Sequence, residues 1–231
     1  MKIIFSPTKQ MKAVETYAFE ETLPKFQEQA NQLREHFTAF DLEQLKTTLK
    51  ASDSICQSVY DMYHTPACKT PALLTYSGIA FQYMAPDVFS DSEFDYVQKH
   101  LRILSGMYGM LKPFDLIEPY RLEMQTKCPF SLYTFWKDTL ANALEDNFII
   151  NLASEEYAKC IRKYKPLIDV RFVDSNMKEK GVYAKMARGE MVRYMAENNV
   201  QTLDELKQFD RQNYHFSPEN SKENLLVFMR D

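Results

Sequence analysis

Apolar positions recur along most of the chain at spacings that predict elements. Leu23, Phe26, Ala30, Leu33 and Phe37 form a stripe of helical period, so a helix is predicted over 23–37, with Pro24 at its start. Further helices are predicted over 41–50 and 52–63. Phe94, Val97, Leu101 and Leu104 repeat the stripe and predict a helix from Ser90 or Asp91 to about Leu104, with Lys99 and Arg102 on one flank. Leu132, Phe135, Trp136 and Leu140 predict an amphipathic helix over 131–145. A helix capped by Ser154 follows; Glu155 and Glu156 in its first turn and Arg162 and Lys163 at its end complement the helix dipole. Ala187, Met191, Tyr194 and Met195 give the inward face of a helix over 183–198. Short apolar or alternating runs predict strands at 2–5, 72–76, 120–124, 148–152, 169–174 and 225–228. Strands and helices intermix throughout, with no repeat or linker. The expected fold is therefore a single α/β (mixed α+β) domain, with a mixed β-sheet flanked by helices over residues 1–231.

Composition narrows the function classes. The 231 residues are 45% hydrophobic and 26% charged, enough for a sizeable core. A net charge of −4 excludes a polycation, so nucleic-acid binding needs a local basic face. Residues 159–193 supply one, with ten basic and four acidic side chains, against eight acidic and four basic over 20–61. Cys56, Cys68, Cys128 and Cys160 lie far apart, and no secretory signal or run long enough to span a bilayer is present. Free thiols in a cytoplasmic protein are expected, with no membrane partner and a monomer as the default.

Three places carry candidate chemistry. In "IIFSPTKQM" a strand runs into a loop with Ser6, Thr8 and Lys9, where open α/β folds place their ligand crevice; the alternative is a plain turn with a surface lysine. In "HLRILSGMYGMLKPFDLIEPYRLEM" (100–124), Gly106 suits a helix C-cap and Gly109 a second turn. A bare glycine hairpin approaches phosphate closely, as in helix-hairpin-helix elements, and Arg102, Lys112 and Arg121 supply charge nearby. The spacing departs from the usual G-x-G, Pro113 limits a second helix, and on spacing alone a glycine C-cap plus a turn is the better fit. In "YAKMARGEMVRYMAEN", Lys185, Gly189 and Arg193 lie along one side and Arg188 flanks them. A mid-helix glycine costs about 1 kcal/mol against alanine, so Gly189 is expected to admit another backbone, from the protein or a ligand; a solvated basic face is the alternative.

His36, His64, His100 and His215 show no metal-ligand spacing, so no metal is assigned. No Walker loop, G-x-G-x-x-G or G-x-S-x-G occurs, and no cofactor is evident. Nothing marks a base for Cys128 or Cys160 as a nucleophile.

The motifs "SPTK", the 25-residue stretch at 100–124, "LYTFWKD", "IINLASEEY", "YAKMARG" and "LVFMR" together resemble the YaaA family of bacterial peroxide-stress proteins. The resemblance implies a mixed α/β fold and a cytosolic protein that limits oxidative damage and is associated with lower free iron under peroxide. It also implies DNA binding through a basic cleft with a helix-hairpin-helix-like element. One departure stands out. Where family members often read K-G-D-V-Y, this chain has Ser77-Gly78-Ile79-Ala80-Phe81, without the lysine, carboxylate and phenol.

Two functional readings follow. In the first, Lys9, Arg102, Lys112, Arg121, Lys185, Arg188 and Arg193 converge on a groove for duplex or branched DNA, with Gly106 and Gly109 permitting close approach. In the second, the same arginines clamp a small anionic substrate, such as a nucleotide or carboxylate, and Asp115, Tyr120 or Glu123 serves as acid or base. A long open basic groove favours the first reading. A pocket enclosing Arg121 and Glu123 favours the second.

Overall fold

Ile3, Ile4 and Phe5 are fully enclosed, as expected of a strand covered on both faces. They form β1 (Lys2–Phe5), near the centre of a seven-stranded sheet in the computed structural model, which describes residues 1–146 and 148–230. Two short segments, β2 (Thr70–Pro71) and β5 (Leu116–Ile117), pair antiparallel in a second, small sheet. In the main sheet β1 pairs in parallel with β3 (Leu101–Ser105) on one side and β6 (Ile149–Asn151) on the other. The parallel order continues through β7 (Ile168–Asp174) to β9 (Leu225–Arg230). Two antiparallel strands, β4 (Gly109–Leu111) beside β3 and β8 (Tyr214–Phe216) beside β9, form the edges. The chain thus runs outward from β1 to β3 and β4, then restarts on the opposite side with β6, β7 and β9. Such a reversal leaves a crevice beyond the carboxyl ends of the strands at the switch, here β1 and β6.

The predicted N-terminal helices are present as α1 (Gln27–Thr38), α2 (Leu42–Leu49) and α3 (Asp53–His64). Ala30, Leu33 and Phe37 are buried as their stripe requires, whereas Leu23 lies outside the helix and is 73% exposed. Residues 72–76 form a single helical turn, α4 (Ala72–Thr75), in place of the predicted strand. A helix without a sequence signal, α5 (Ile79–Met84), follows. The next helix, α6 (Asp91–His100), starts with a Ser90–Glu93 capping box and stops earlier than the stripe suggests. Leu101, Ile103 and Leu104 are completely buried in β3, and pairing with β1 overrides helical continuation. A run buried on both faces fits either period, which is why the stripe misleads there.

That correction changes the glycine stretch. Gly106 follows a strand, and Gly106–Tyr108 make the turn of a β3–β4 hairpin with no second helix after it. The helix-hairpin-helix expectation for this stretch gives way to a β-hairpin whose four turn and flanking residues, 106–109, are all buried. Gly109 has φ +69°, a conformation that favours glycine, and a Cβ there would meet Trp136 and Leu140. The predicted helix at 131–145 divides into α7 (Leu132–Trp136) and α8 (Thr139–Ala143), interrupted at Lys137 with φ +44°. The remaining helices are α9 (Glu155–Arg162), α10 (Gly181–Glu197) and α11 (Leu203–Leu206).

Candidate functional site

A cleft of about 430 Å³ opens at the carboxyl ends of β1 and β6, where the strand order reverses. The loop after β1 contributes Ser6, Thr8 and Lys9. The turn after β6 contributes Ser154, and the first turn of α9 contributes Glu156 and Tyr157. Two hydrogen bonds tie these loops together: the Ser154 amide donates to Ser6 Oγ at 2.8 Å, and Ser6 Oγ donates to Ser154 Oγ at 3.2 Å.

The third wall is the segment Tyr120–Glu123. Its side chains alternate, with Tyr120, Leu122 and Met124 buried and Arg121 and Glu123 half-buried, as the sequence pattern predicts. It does not join a sheet, however. Gly106 explains its position, because a Cβ on Gly106 would lie 2.3 Å from the Leu122 carbonyl oxygen. The segment is further pinned by the Tyr63 hydroxyl, which donates to the Arg121 carbonyl at 3.3 Å. Glu123 then forms ion pairs with two cations, Lys9 Nζ at 2.9 Å and Arg121 Nε at 3.2 Å.

The fourth wall combines α5 and α10. Gly189 lets the two helices touch backbone to backbone; a Cβ there would lie 1.9 Å from the Ala80 carbonyl oxygen. The partner backbone expected for Gly189 is therefore the protein's own. This contact brings Gly78, Ile79 and Ala80 opposite Lys185 and Arg188. Ile79 and Ala80 make this part of the cleft wall apolar. Arg188 is held by Glu179, Nη2 to Oε1 at 2.5 Å, and desolvation lowers its pKa. Its Nε is buried without a hydrogen-bond partner among the described residues.

Of the predicted site residues, Lys9, Arg121, Lys185, Arg188, Tyr120 and Glu123 line this cleft. Tyr120 is an unsuitable acid or base: its hydroxyl is occupied by Tyr76 at 2.6 Å and Ser105 at 2.7 Å, and burial raises its pKa. The others are elsewhere. Arg102 Nη1 donates to the carbonyls of Gln98 at 3.1 Å and Leu101 at 2.6 Å, at the end of α6. Asp115 is buried, accepts from Thr22 Oγ1 at 2.6 Å and the Lys112 amide at 2.7 Å, and serves a turn; burial raises its pKa. Lys112 is exposed beside it, and Arg193 pairs with Glu197 at 2.7 Å on the surface of α10. The seven cations expected on one groove therefore divide, and only four reach the cleft. Gly106 and Gly109 face protein atoms, so they shape the site's support and offer no bare backbone to a ligand.

Glu156, Ser154 and Tyr157 were not anticipated as site residues. Glu156 reads in the sequence as an ordinary first-turn helix acid. The signal that finds it is its place directly after the strand next to β1, the same rule that selects Lys9. Among the described residues no group of three His, Cys, Asp or Glu side chains is arranged to hold a metal ion. The four cysteines are unpaired, and burial pushes the Cys128 thiol up to about 11 and the Cys160 thiol up to about 12. Neither is a peroxide-reactive thiolate at neutral pH.

Comparison with known proteins agrees with the motif pattern. Residues 1–220 match the family described as "Peroxide stress protein YaaA". A UPF0246 protein of Desulfitobacterium hafniense is 42% identical over 247 residues, covering 100% of this chain and 98% of its own length. UPF0246 proteins of Agathobacter rectalis (43% identical, 100% of this chain and 99% of the relative) and Lactobacillus acidophilus (41%, 100% and 98%) are similar throughout. With the family pattern matched along almost the whole sequence, the chain belongs to the peroxide stress protein YaaA family.

Proposed function

We propose that the cleft binds a small anionic substrate, of nucleotide or carboxylate type, and is the working site of this peroxide-stress protein. One observation supports this most: Lys9, Arg121, Lys185 and Arg188 line a partly open cleft of about 430 Å³ that also contains Glu123 and Glu156. Cations in a partly desolvated cleft bind anions strongly, and arginine adds geometric selectivity. Glu123 holds Lys9 and Arg121 in place before a ligand arrives. The apolar wall at Ile79 and Ala80 suits the uncharged part of such a molecule. Carboxylates inside the cleft repel a nucleic-acid backbone, while a small substrate can use them for proton transfer.

DNA binding is the second reading, favoured by a separate feature. Lys178, Lys180, Tyr183 and Arg230 line a neighbouring hollow of about 360 Å³ at the ends of β7 and β9, next to the start of α10, with Asp174 as its one carboxylate among the described residues, 3.5 Å from Lys180. DNA lying across this hollow and the cleft rim would be held by backbone charge, without sequence reading. In both readings the protein acts in the cytoplasm to limit peroxide- and iron-driven damage. The test is a calorimetric titration with AMP, citrate and a 20-base-pair duplex at several salt concentrations. Saturable binding of a small anion that is lost in Lys9→Ala/Arg121→Ala supports the first reading. Duplex binding with a steep log–log salt slope that is reduced by Lys178→Ala/Lys180→Ala, without saturable binding of either small anion, supports the second.

A further inference from the structure

The two carboxylates of the cleft have different surroundings. Glu123 is neutralised by Lys9 and Arg121, at 2.9 and 3.2 Å. Glu156 has no ion pair among the described residues. One of its oxygens, Oε1, accepts the Gln125 amide at 3.1 Å, which fixes the carboxyl group and leaves the other oxygen free of side-chain partners among the described residues. The Tyr133 hydroxyl donates to the Glu156 backbone carbonyl at 3.0 Å and anchors the first turn of α9 from α7. Glu156 is therefore a half-buried, oriented carboxyl group in the cleft, with no cation assigned to it.

We propose that Glu156 is the acid–base residue of this cleft, and that the substrate accordingly carries, next to its anionic group, an atom that gains or loses a proton. This rests on the anion-site reading above. In the forward sense the Glu156 O–H bond breaks, the proton passes to a substrate oxygen or nitrogen, and the carboxylate is reprotonated from solvent; the reverse step abstracts a proton.

The electrostatics agree with the geometry. Burial raises the Glu156 pKa and the neighbouring Glu123 adds to the effect, while the Gln125 amide and Lys9 oppose it. The other groups around it are Cys160 and Tyr157 on its own helix, Tyr133 on α7, Arg121 beside Glu123, and Lys185 and Arg188 on α10. Glu123 sits between two cations and Glu156 has no ion pair among the described residues, and carboxyl groups in such unequal surroundings suit separate roles. A dianion bound by the cations repels the Glu156 carboxylate and draws a proton onto it.

Inorganic sulfate is a suitable probe, because it stays a dianion across the pH range used. Calorimetric titration between pH 5 and 8, in two buffers of different ionisation enthalpy, measures protons taken up per sulfate bound. The wild-type protein is expected to take up roughly half a proton or more at some pH in this range. Glu156→Gln should bind sulfate at least as tightly and take up none, while melting like the wild type. Sulfate binding without proton uptake, or uptake that persists in Glu156→Gln, overturns the assignment of Glu156 while leaving the anion site standing. No sulfate binding at all overturns the anion site, and the role of Glu156 with it.

Discussion

Charged residues gather at both ends of the central sheet, and the two ends use them differently. At the amino end, Lys2 donates to the Lys99 carbonyl at 2.7 Å and Arg102 to the Gln98 and Leu101 carbonyls. These cations satisfy the last carbonyls of α6, where the helix dipole favours positive charge. Asp115 satisfies the turn that follows β4. At the carboxyl end, Lys9, Arg121, Lys185 and Arg188 surround open space, and carboxylate partners hold Lys9, Arg121 and Arg188 at its walls. The amino-end arginine completes backbone hydrogen bonding, whereas the carboxyl-end cations line a cleft. In the sequence, Arg102 and Arg121 look alike; the carbonyls that Arg102 already serves distinguish them.

The largest expected effect concerns the support of the carboxyl end. Gly189→Ala forces a methyl group against the Ala80 carbonyl, 1.9 Å away, where an exposed helix would instead be stabilised. Overpacking of this kind costs about 3 kcal/mol, which lowers Tm by roughly 6–12 °C in a chain of this size. A melting curve at or above the wild-type Tm would show that α5 and α10 are not in backbone contact.

Exchanging the roles of the two ends is the next test. Lys9→Ala/Arg121→Ala should weaken sulfate binding at least tenfold, about 1.4 kcal/mol, with Tm little changed, because its ion pairs are partly exposed. Arg102→Ala should leave sulfate affinity unchanged and lower stability by about 1–3 kcal/mol, since it leaves the α6 carbonyls unpaired. Calorimetry and thermal denaturation of both variants separate a binding role from a structural one. Equal loss of affinity in the two would erase the distinction between the ends.

The same contrast shows what the sequence could reveal. Helical stripes at 23–37, 41–50 and 183–198 were legible because each helix buries one face against the core. The segment at 120–124 was legible as extended chain, and its alternation correctly separates Arg121 and Glu123 from buried Tyr120 and Leu122. Its missing ladder was not legible, because its place depends on the room that Gly106, in the hairpin turn, leaves for the Leu122 carbonyl oxygen. Leu101 and Leu104 misled because a doubly covered strand and a buried helix share an apolar run. Strand-end position selects Lys9, which lines the cleft as Arg121 and Arg188 do, whereas Arg193 on the same helix as Arg188 does not. Glu156 was missed because helix capping already explains an acid at that position.

A smaller effect sharpens the division between the cleft carboxylates. Glu156 has a pKa above its ordinary value, so the folded protein holds the proton to higher pH than the unfolded chain. Its contribution to stability is present at low pH and is lost as pH rises through the folded value. Glu156→Gln should therefore lessen any fall in Tm as pH rises above the ordinary carboxyl range. An undiminished decline would assign it to other groups.

Direct localisation of a bound anion tests the central claim. Crystals soaked in selenate, collected at the selenium edge, place the anion by its anomalous scattering. The account predicts a peak in the cleft among Lys9, Arg121, Lys185 and Arg188, absent in Lys9→Ala/Arg121→Ala crystals. A peak only beside Arg102 and Lys112, with an empty cleft, would contradict it.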